Sequence, residues 1–480
     1  MKNRVSSDYI WGFLYALLIF GVFILTLWGN SNNLDPRYLF IDEQITFYPV
    51  AKILNPSSVD EFLWLISDGS DYRYGRILWN AIALVAAIPT ELFGVAGQIV
   101  AARELGVLLL LSSYGLLVFG FIKTPSVRFF ALLILILLPY NSYYMSMPKP
   151  EPIMIFVISL FLFLNSKNYF SPGSPSWILV GIAFGAKISF IVPAAILFFA
   201  SVVNSILTKK PALTRHLVSI LFILIGFVFA NPYFLQPIFW LSYPVLGVFL
   251  LFRVLNPLSG FIVLTCILVL SIPFLPETGL HNYIIEDLSN LSGFNHALGE
   301  WARGTFLKVN DGGGDAIQNF YSWFLYFCKT LYPLSLIIGF LLMLFSIVFF
   351  AISSKELLAH TKVDNQTLFN VLSVLTVGLA LLLIPMLTVK NRLWGMYFFP
   401  GLVFTGIALL SVTDSYIEAI KSKTFLPSRF LIFSTILLIA LLLIVVVSYW
   451  APEFINSFIF FGTRTPSSPQ FALPPWLMGV

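Results

Sequence analysis

Charge is scarce in this chain: Asp, Glu, Lys and Arg make up 10% of its 480 residues. An average soluble chain carries about 25%, so a soluble globular class is excluded. Cysteine is almost missing as well. Cys266 lies inside an apolar run and Cys328 at the edge of another, which gives neither a disulfide framework nor a metal-ligand spacing. The sequence has no Gly-rich loop ending in Lys-Ser/Thr, which removes the P-loop class of nucleotide site. No small-residue cleavage site follows the first apolar run, so that run reads as a retained span and not as a removed signal.

Hydrophobic residues fill the space that charge leaves. They make up 59% of the chain, with 49 Phe, 20 Tyr and 11 Trp, enough to line many lipid-facing surfaces and to anchor them at the interfaces. The apolar runs predict an all-α polytopic membrane protein, a single integral-membrane domain over 1–480 with about 11–13 transmembrane helices. Lys2 and Arg4 precede the first run, which places the N-terminus in the cytoplasm by the positive-inside rule. On that layout the loops around Lys123, Lys209, Lys355 and Lys421 are cytoplasmic. Residues 29–97 form a first extracytoplasmic loop with interfacial helices over 44–54 and 77–93, and the second span starts at Ile99. Residues 276–331 form a second large outer loop, and 451–480 a Pro-rich outer tail. The run from Trp177 to Gly185 is too short to cross alone, so two short helices are expected to meet at Lys187.

The few ionisable groups are therefore informative, because a charge near lipid is costly and marks a functional site by default. Asp42 and Glu43 stand together where the chain leaves the first span. Glu151 stands between Pro150 and Pro152, which restrict the backbone and fit a helix start. The bases divide almost evenly between the two sides of the layout while the acids collect outside, and so many outer bases make sense if several face an anion. His281, His296 and Glu300 share the second outer loop, with His296 and Glu300 spaced to share a helix face. Two ligands are too few for an open zinc site, and these groups read as substrate hydrogen-bonders or as solvated side chains.

Five stretches in order carry a resemblance to a known family: Asp42-Glu43; Ala102-Arg103-Glu104-Leu105-Gly106; Pro148-Lys149-Pro150-Glu151-Pro152; Gly181-Ile182-Ala183-Phe184-Gly185-Ala186-Lys187; and Asn391-Arg392 through Tyr397 and Pro400. Together they resemble the GT-C superfamily of integral-membrane glycosyltransferases, in the branch of protein O-mannosyltransferases and the lipid A aminoarabinose transferase. The resemblance implies transfer of a sugar from a polyprenyl-phosphate donor to a lipid, glycan or protein acceptor on the extracytoplasmic face. It implies Asp42 as general base, with Glu43 and Glu151 beside it in the catalytic set. It implies Lys187, Arg103 and Arg392 as ligands of the donor phosphate, and leaves His296, Glu300 and Tyr397 as substrate contacts. No metal ligand is assigned, although some members of the superfamily use a divalent ion. A lipid-phosphate donor is already activated, consistent with the lack of a nucleotide motif.

The chemistry fits that pattern. Attack on the anomeric carbon needs a base for the acceptor proton and cations for the charge growing on the departing phosphate. The competing class is a transporter or flippase for a lipid-linked or small polar substrate, which expects internal repeats and charges near the bilayer midplane. Here the charges gather at the outer rim and no repeat relates the halves. A bacterial or archaeal plasma membrane is the expected location, since no retrieval signal stands at the Val480 end.

Overall fold

The computed structural model describes residues 2–32, 34, 41–67, 76–166, 170–187, 190–207, 213–231, 316–360, 365–388, 395–421 and 427–459. The regular elements among them are helices. In chain order they are α1 (Lys2–Asn30), α2 (Ile41–Leu54), α3 (Val59–Ser67), α4 (Ile77–Phe121), α5 (Pro125–Leu137), α6 (Asn141–Ser146), α7 (Glu151–Leu164), α8 (Trp177–Ala186), α9 (Ile191–Leu207) and α10 (Leu213–Ala230). After the central stretch come α11 (Ala316–Leu331), α12 (Leu336–His360), α13 (Asn365–Thr388), a 3-10 turn (Gly395–Phe398), α14 (Phe399–Lys421), α15 (Arg429–Val445), a π turn (Val446–Trp450) and α16 (Ala451–Ile459).

Six helical stretches among the described residues are long and apolar enough to cross a membrane, and five more are apolar but shorter. Their outward faces are greasy: Leu84 is 80% exposed, and Ile337, Phe433 and Val447 are also exposed. Apolar surface in continuous stripes around long helices is what a bilayer covers, since helices satisfy their own backbone groups. The chain is an all-α, polytopic integral-membrane protein.

The long element α4 is two helices joined at a kink: Gly94 has non-helical backbone with φ +63°, a conformation that glycine takes without strain, so the helix expected over 77–93 ends there and the run expected as the second span follows as a separate helix. Residues 141–146 form the short buried helix α6. The last span also continues past Trp450 to Ile459; residues 460–480 lie outside the described part.

Two compact units partition the chain. The first holds Met1–Gln44, Ile88–Tyr169 and Asp311–Val480. Near its N-terminal half, α1 lies beside the start of α5: Tyr15 donates to the Pro125 carbonyl at 2.6 Å and Trp11 packs on Phe129. At its other end, α1 meets α16, where a Cβ on Gly29 would lie 2.8 Å from the Phe458 side chain. The core between α6, α11 and α14 is aromatic. Trp323 and Phe327 pack edge-on against Phe398, and Tyr144 stacks on Phe399 with ring centres 4.9 Å apart.

The second unit holds Ile45–Ala87 and Phe170–Asn310. Its tightest contact joins α8 and α10, where a Cβ on Gly181 would lie 2.0 Å from the Ile223 carbonyl oxygen. Small residues let the backbones approach, the usual device where no water is present to drive helices together. Arg76 is buried, donating to the Leu65 carbonyl at 2.6 Å and lying over the Trp79 ring.

Candidate active site

One end of the first unit collects most of its buried polar groups, and α6 is the hub. Asn30, the last residue of α1, is wholly buried. Its Nδ2 donates to Glu104 Oε1 at 2.7 Å and to the Met145 carbonyl at 2.9 Å. Arg103, the residue before Glu104 on α4, is 1% exposed and donates from Nε to Glu43 Oε1 at 2.9 Å. Its Nη1 reaches the Asn30 carbonyl at 2.9 Å and the Asn32 carbonyl at 3.3 Å. One guanidinium thus ties α2 and the end of α1 to α4. The Asn30 carbonyl is one that a helix leaves open in its last turn, where a cation is favourable; the Asn32 carbonyl lies just past the helix end.

Gly106, one turn further along α4, lies against α6. A Cβ there would stand 2.8 Å from the Tyr144 carbonyl oxygen and 3.9 Å from Pro152 Cγ. Tyr144 in turn donates its hydroxyl to the Met396 carbonyl at 3.0 Å. Tyr114 donates to Asn141 Oδ1 at 2.7 Å, and Asn141 Nδ2 donates to the Ile136 carbonyl, which fixes the entry to α6. Glu151 is the first residue of α7, with Pro150 as its N-cap and Pro152 at the second position, and it is 5% exposed. A carboxylate in the first helical turn complements the positive end of the helix dipole.

Four of the five stretches singled out in the sequence are therefore linked through α4 and α6: Gly106 of the Ala102 to Gly106 stretch lies against Tyr144 of α6 and against Pro152, the 391–400 stretch reaches Tyr144 through Met396 and Phe399, and Asp42-Glu43 joins α4 through the Glu43–Arg103 ion pair. Asp42 is the second residue of α2, directly before Glu43. Tyr397 lies in the 3-10 turn beside Met396. Lys187 belongs to the second unit, where it ends α8 in an extended conformation and its carbonyl accepts from Phe190 N at 2.9 Å; this is the junction of two short helices expected from the interrupted apolar run. His296, Glu300 and Arg392 lie outside the described residues. Among the described residues no group of three metal-ligating side chains gathers.

Sequence reasoning missed Asn30, an ordinary polar residue at a helix end, and gave no role to Glu104. One buried oxygen in this cluster, Asn30 Oδ1, has no hydrogen-bond partner in the protein, while Glu104 is hydrogen-bonded by the side chains of Asn30 and Thr26. Buried polar atoms are normally satisfied, so Asn30 Oδ1 is a place for a water. A clue was available: Glu104 follows Arg103 inside an otherwise apolar run, where an acid is expensive.

No family model matches this chain, and no curated protein matches it. Its backbone is similar to the crystal structure of ArnT from Cupriavidus metallidurans bound to undecaprenyl phosphate, with 14% sequence identity and a TM-score of 0.46, over 94% of this chain and 74% of that one. The contacts around α6, not this likeness, carry the reading that follows.

Proposed function

We propose that this protein is a membrane glycosyltransferase that moves a sugar from a polyprenyl-phosphate donor to an acceptor hydroxyl, with Asp42 as the general base. The observation that carries the reading is the linking of four separated sequence stretches through α4 and α6, with the Glu43–Arg103 ion pair at 2.9 Å holding the start of the helix that bears Asp42.

In the reaction the acceptor oxygen attacks the anomeric carbon, its proton passes to the Asp42 carboxylate, and the bond from that carbon to the phosphate oxygen breaks. The phosphate keeps the bonding electrons, so cations favour its departure. Lys187 and Arg392 are the phosphate ligands in this proposal, one as a point charge and the other as a fork. Arg103 is assigned a different part: with Nε and Nη1 already bonded inside the protein, it positions Glu43 and the start of α2. Glu151 and Glu104 supply the acidic surroundings of the acceptor.

The test uses purified full-length protein in lipid with a polyprenyl-phosphate sugar, measuring release of polyprenyl phosphate. Release that depends on an added acceptor and is weakened in donor affinity by Lys187→Ala supports the reading. No release, with a solute crossing sealed vesicles instead, replaces it with the transporter reading, which the broken helix α4 and its buried Glu104 would also suit.

A further inference from the structure

Away from α6, the start of α5 carries an arginine that the proposed reaction does not use. Arg128 is the fourth residue of α5, half-buried, and its Nε donates to the Ile122 carbonyl at 2.6 Å. Its guanidinium carbon stands 5.0 Å from the centre of the Phe119 ring. A guanidinium over an aromatic face is attracted by the negative potential of the ring, so one bond and one ring fix the plane of the fork. Both Nη groups are left over: among the described residues no carbonyl or carboxylate takes them. The acids of α14 that reach this linker are occupied, Asp414 by the N–H groups of Lys123 and Thr124 and Glu418 by Lys123 Nζ.

The rings around Arg128 mark its depth. Tyr15 packs edge-on against Phe119 with ring centres 5.9 Å apart, and Phe129 packs on both Tyr15 and Trp11. Trp and Tyr beside the end of a spanning helix are the usual anchors at the level of lipid headgroups. Phe119 and Phe130 are exposed, apolar surface of the kind that a bilayer covers. α4 ends at Phe121 and α5 begins at Pro125, so Arg128 stands where the chain turns at the membrane boundary. Lys2 and Arg4 outnumber Asp8 at the start of α1, the helix that carries Trp11 and Tyr15. Tyr15 stands about 22 Å along α1 from Asn30, which separates this corner from the α6 end.

An arginine at such a boundary often only snorkels, with its stem along apolar surface and its head moving in water. A snorkelling head has no fixed plane. Here Nε is bonded and the plane rests on Phe119, which leaves two Nη groups already aligned, and a planar fork matches two oxygens of one phosphate. The exposed rings beside it are surface for acyl chains, which a free phosphate does not need.

We propose that Arg128, with Phe119, Tyr15 and Trp11 around it, binds the phosphate headgroup of an anionic phospholipid in the leaflet at which α1 starts. Basic positions between membrane helices recognise such headgroups. The site stands whether or not the α6 end transfers sugar.

The test is native mass spectrometry of the full-length protein, released from a neutral detergent after equilibration with phosphatidylglycerol, phosphatidylcholine or the soluble analogue glycerol 3-phosphate. The wild type should retain one phosphatidylglycerol at concentrations where phosphatidylcholine is lost. Arg128→Gln should weaken that retention about tenfold, as loss of a charge-assisted pair of hydrogen bonds does. Arg128→Lys keeps the charge and loses the fork, and should weaken it about threefold to fivefold. Lys123→Ala removes a base from the same linker without touching the fork and should stay within about twofold. A melting temperature matched to the wild type shows that each variant folds. Should the Arg128 variants melt early, Phe119→Leu takes their place: it removes the ring under the guanidinium and should weaken retention about threefold.

Equal retention of the two lipids by the wild type overturns the proposal, as do folded variants at Arg128, or Phe119→Leu in their place, that hold phosphatidylglycerol as the wild type does. Lys123→Ala weakening retention as far as Arg128→Gln shows diffuse attraction to a basic surface and overturns it too. Displacement of the lipid by an equal concentration of glycerol 3-phosphate makes the site one for free phosphate and overturns the lipid assignment.

Discussion

The first unit buries carboxylates at both of its ends, and the two ends use them differently. At one, Asp414 on α14 is 2% exposed and accepts from Lys123 N at 2.7 Å and Thr124 N at 3.2 Å. Both of its oxygens are used by backbone N–H groups of the linker that leads from α4 into α5, at the N-cap residue Thr124 and the residue before it. At the other, Glu43 is held by the Arg103 side chain and Glu104 by the side chains of Asn30 and Thr26. A carboxylate used up by backbone N–H groups is structural. Carboxylates held by side chains are the ones to which the proposed function gives a part in the site.

That contrast can be broken or sharpened by substitution. The largest expected effect on stability is at Arg103→Ala, which strands Glu43 without its buried partner and should cost about 3–5 kcal/mol, read as a fall in melting temperature in lipid. Replacing both members, Arg103→Met with Glu43→Leu, should recover most of that loss while turnover stays low; recovered turnover would mean that the pair positions nothing. Next is Gly106→Ala. Its Cβ would sit 2.8 Å from the Tyr144 carbonyl, so α6 must shift, at about 1–3 kcal/mol and with a loss of turnover at matched folded fraction. The smallest is Lys123→Ala. Its ion pair with Glu418 spans 3.7 Å with the two side chains 73% and 56% exposed, and removing it should change stability by less than about 1 kcal/mol and leave turnover alone.

Much of the candidate site's buried charge was legible in the sequence because charge is expensive in an apolar chain. Asp42-Glu43, Arg103 and the prolines around Glu151 stood out against their surroundings, and three of those stretches meet in space. Lys187 was legible for the same reason, as the interruption of an apolar run that ends α8. Other features depend on contacts that no local pattern carries. Asp414 holds the entry to α5 at Thr124, 290 residues earlier in the chain, and nothing near it in sequence distinguishes it from a solvated charge. Asn30 is one polar residue at a helix end. The break at Gly94 was legible, since the helix expected over 77–93 ends one residue before it.

The central claim is that the end around α6 performs chemistry while the Asp414 end holds helices together. The direct measurement is sugar transfer from a polyprenyl-phosphate donor by Asp42→Asn and Asp414→Asn, each purified in lipid and normalised to folded protein. Asp42→Asn keeps the shape of the side chain and removes its basicity, so turnover should fall about a hundredfold or more with donor binding retained. Asp414→Asn weakens a charge-assisted cap and should cost about 1–2 kcal/mol of stability while the folded fraction turns over at the wild-type rate. Wild-type turnover by Asp42→Asn, or a hundredfold loss confined to Asp414→Asn, would contradict the account.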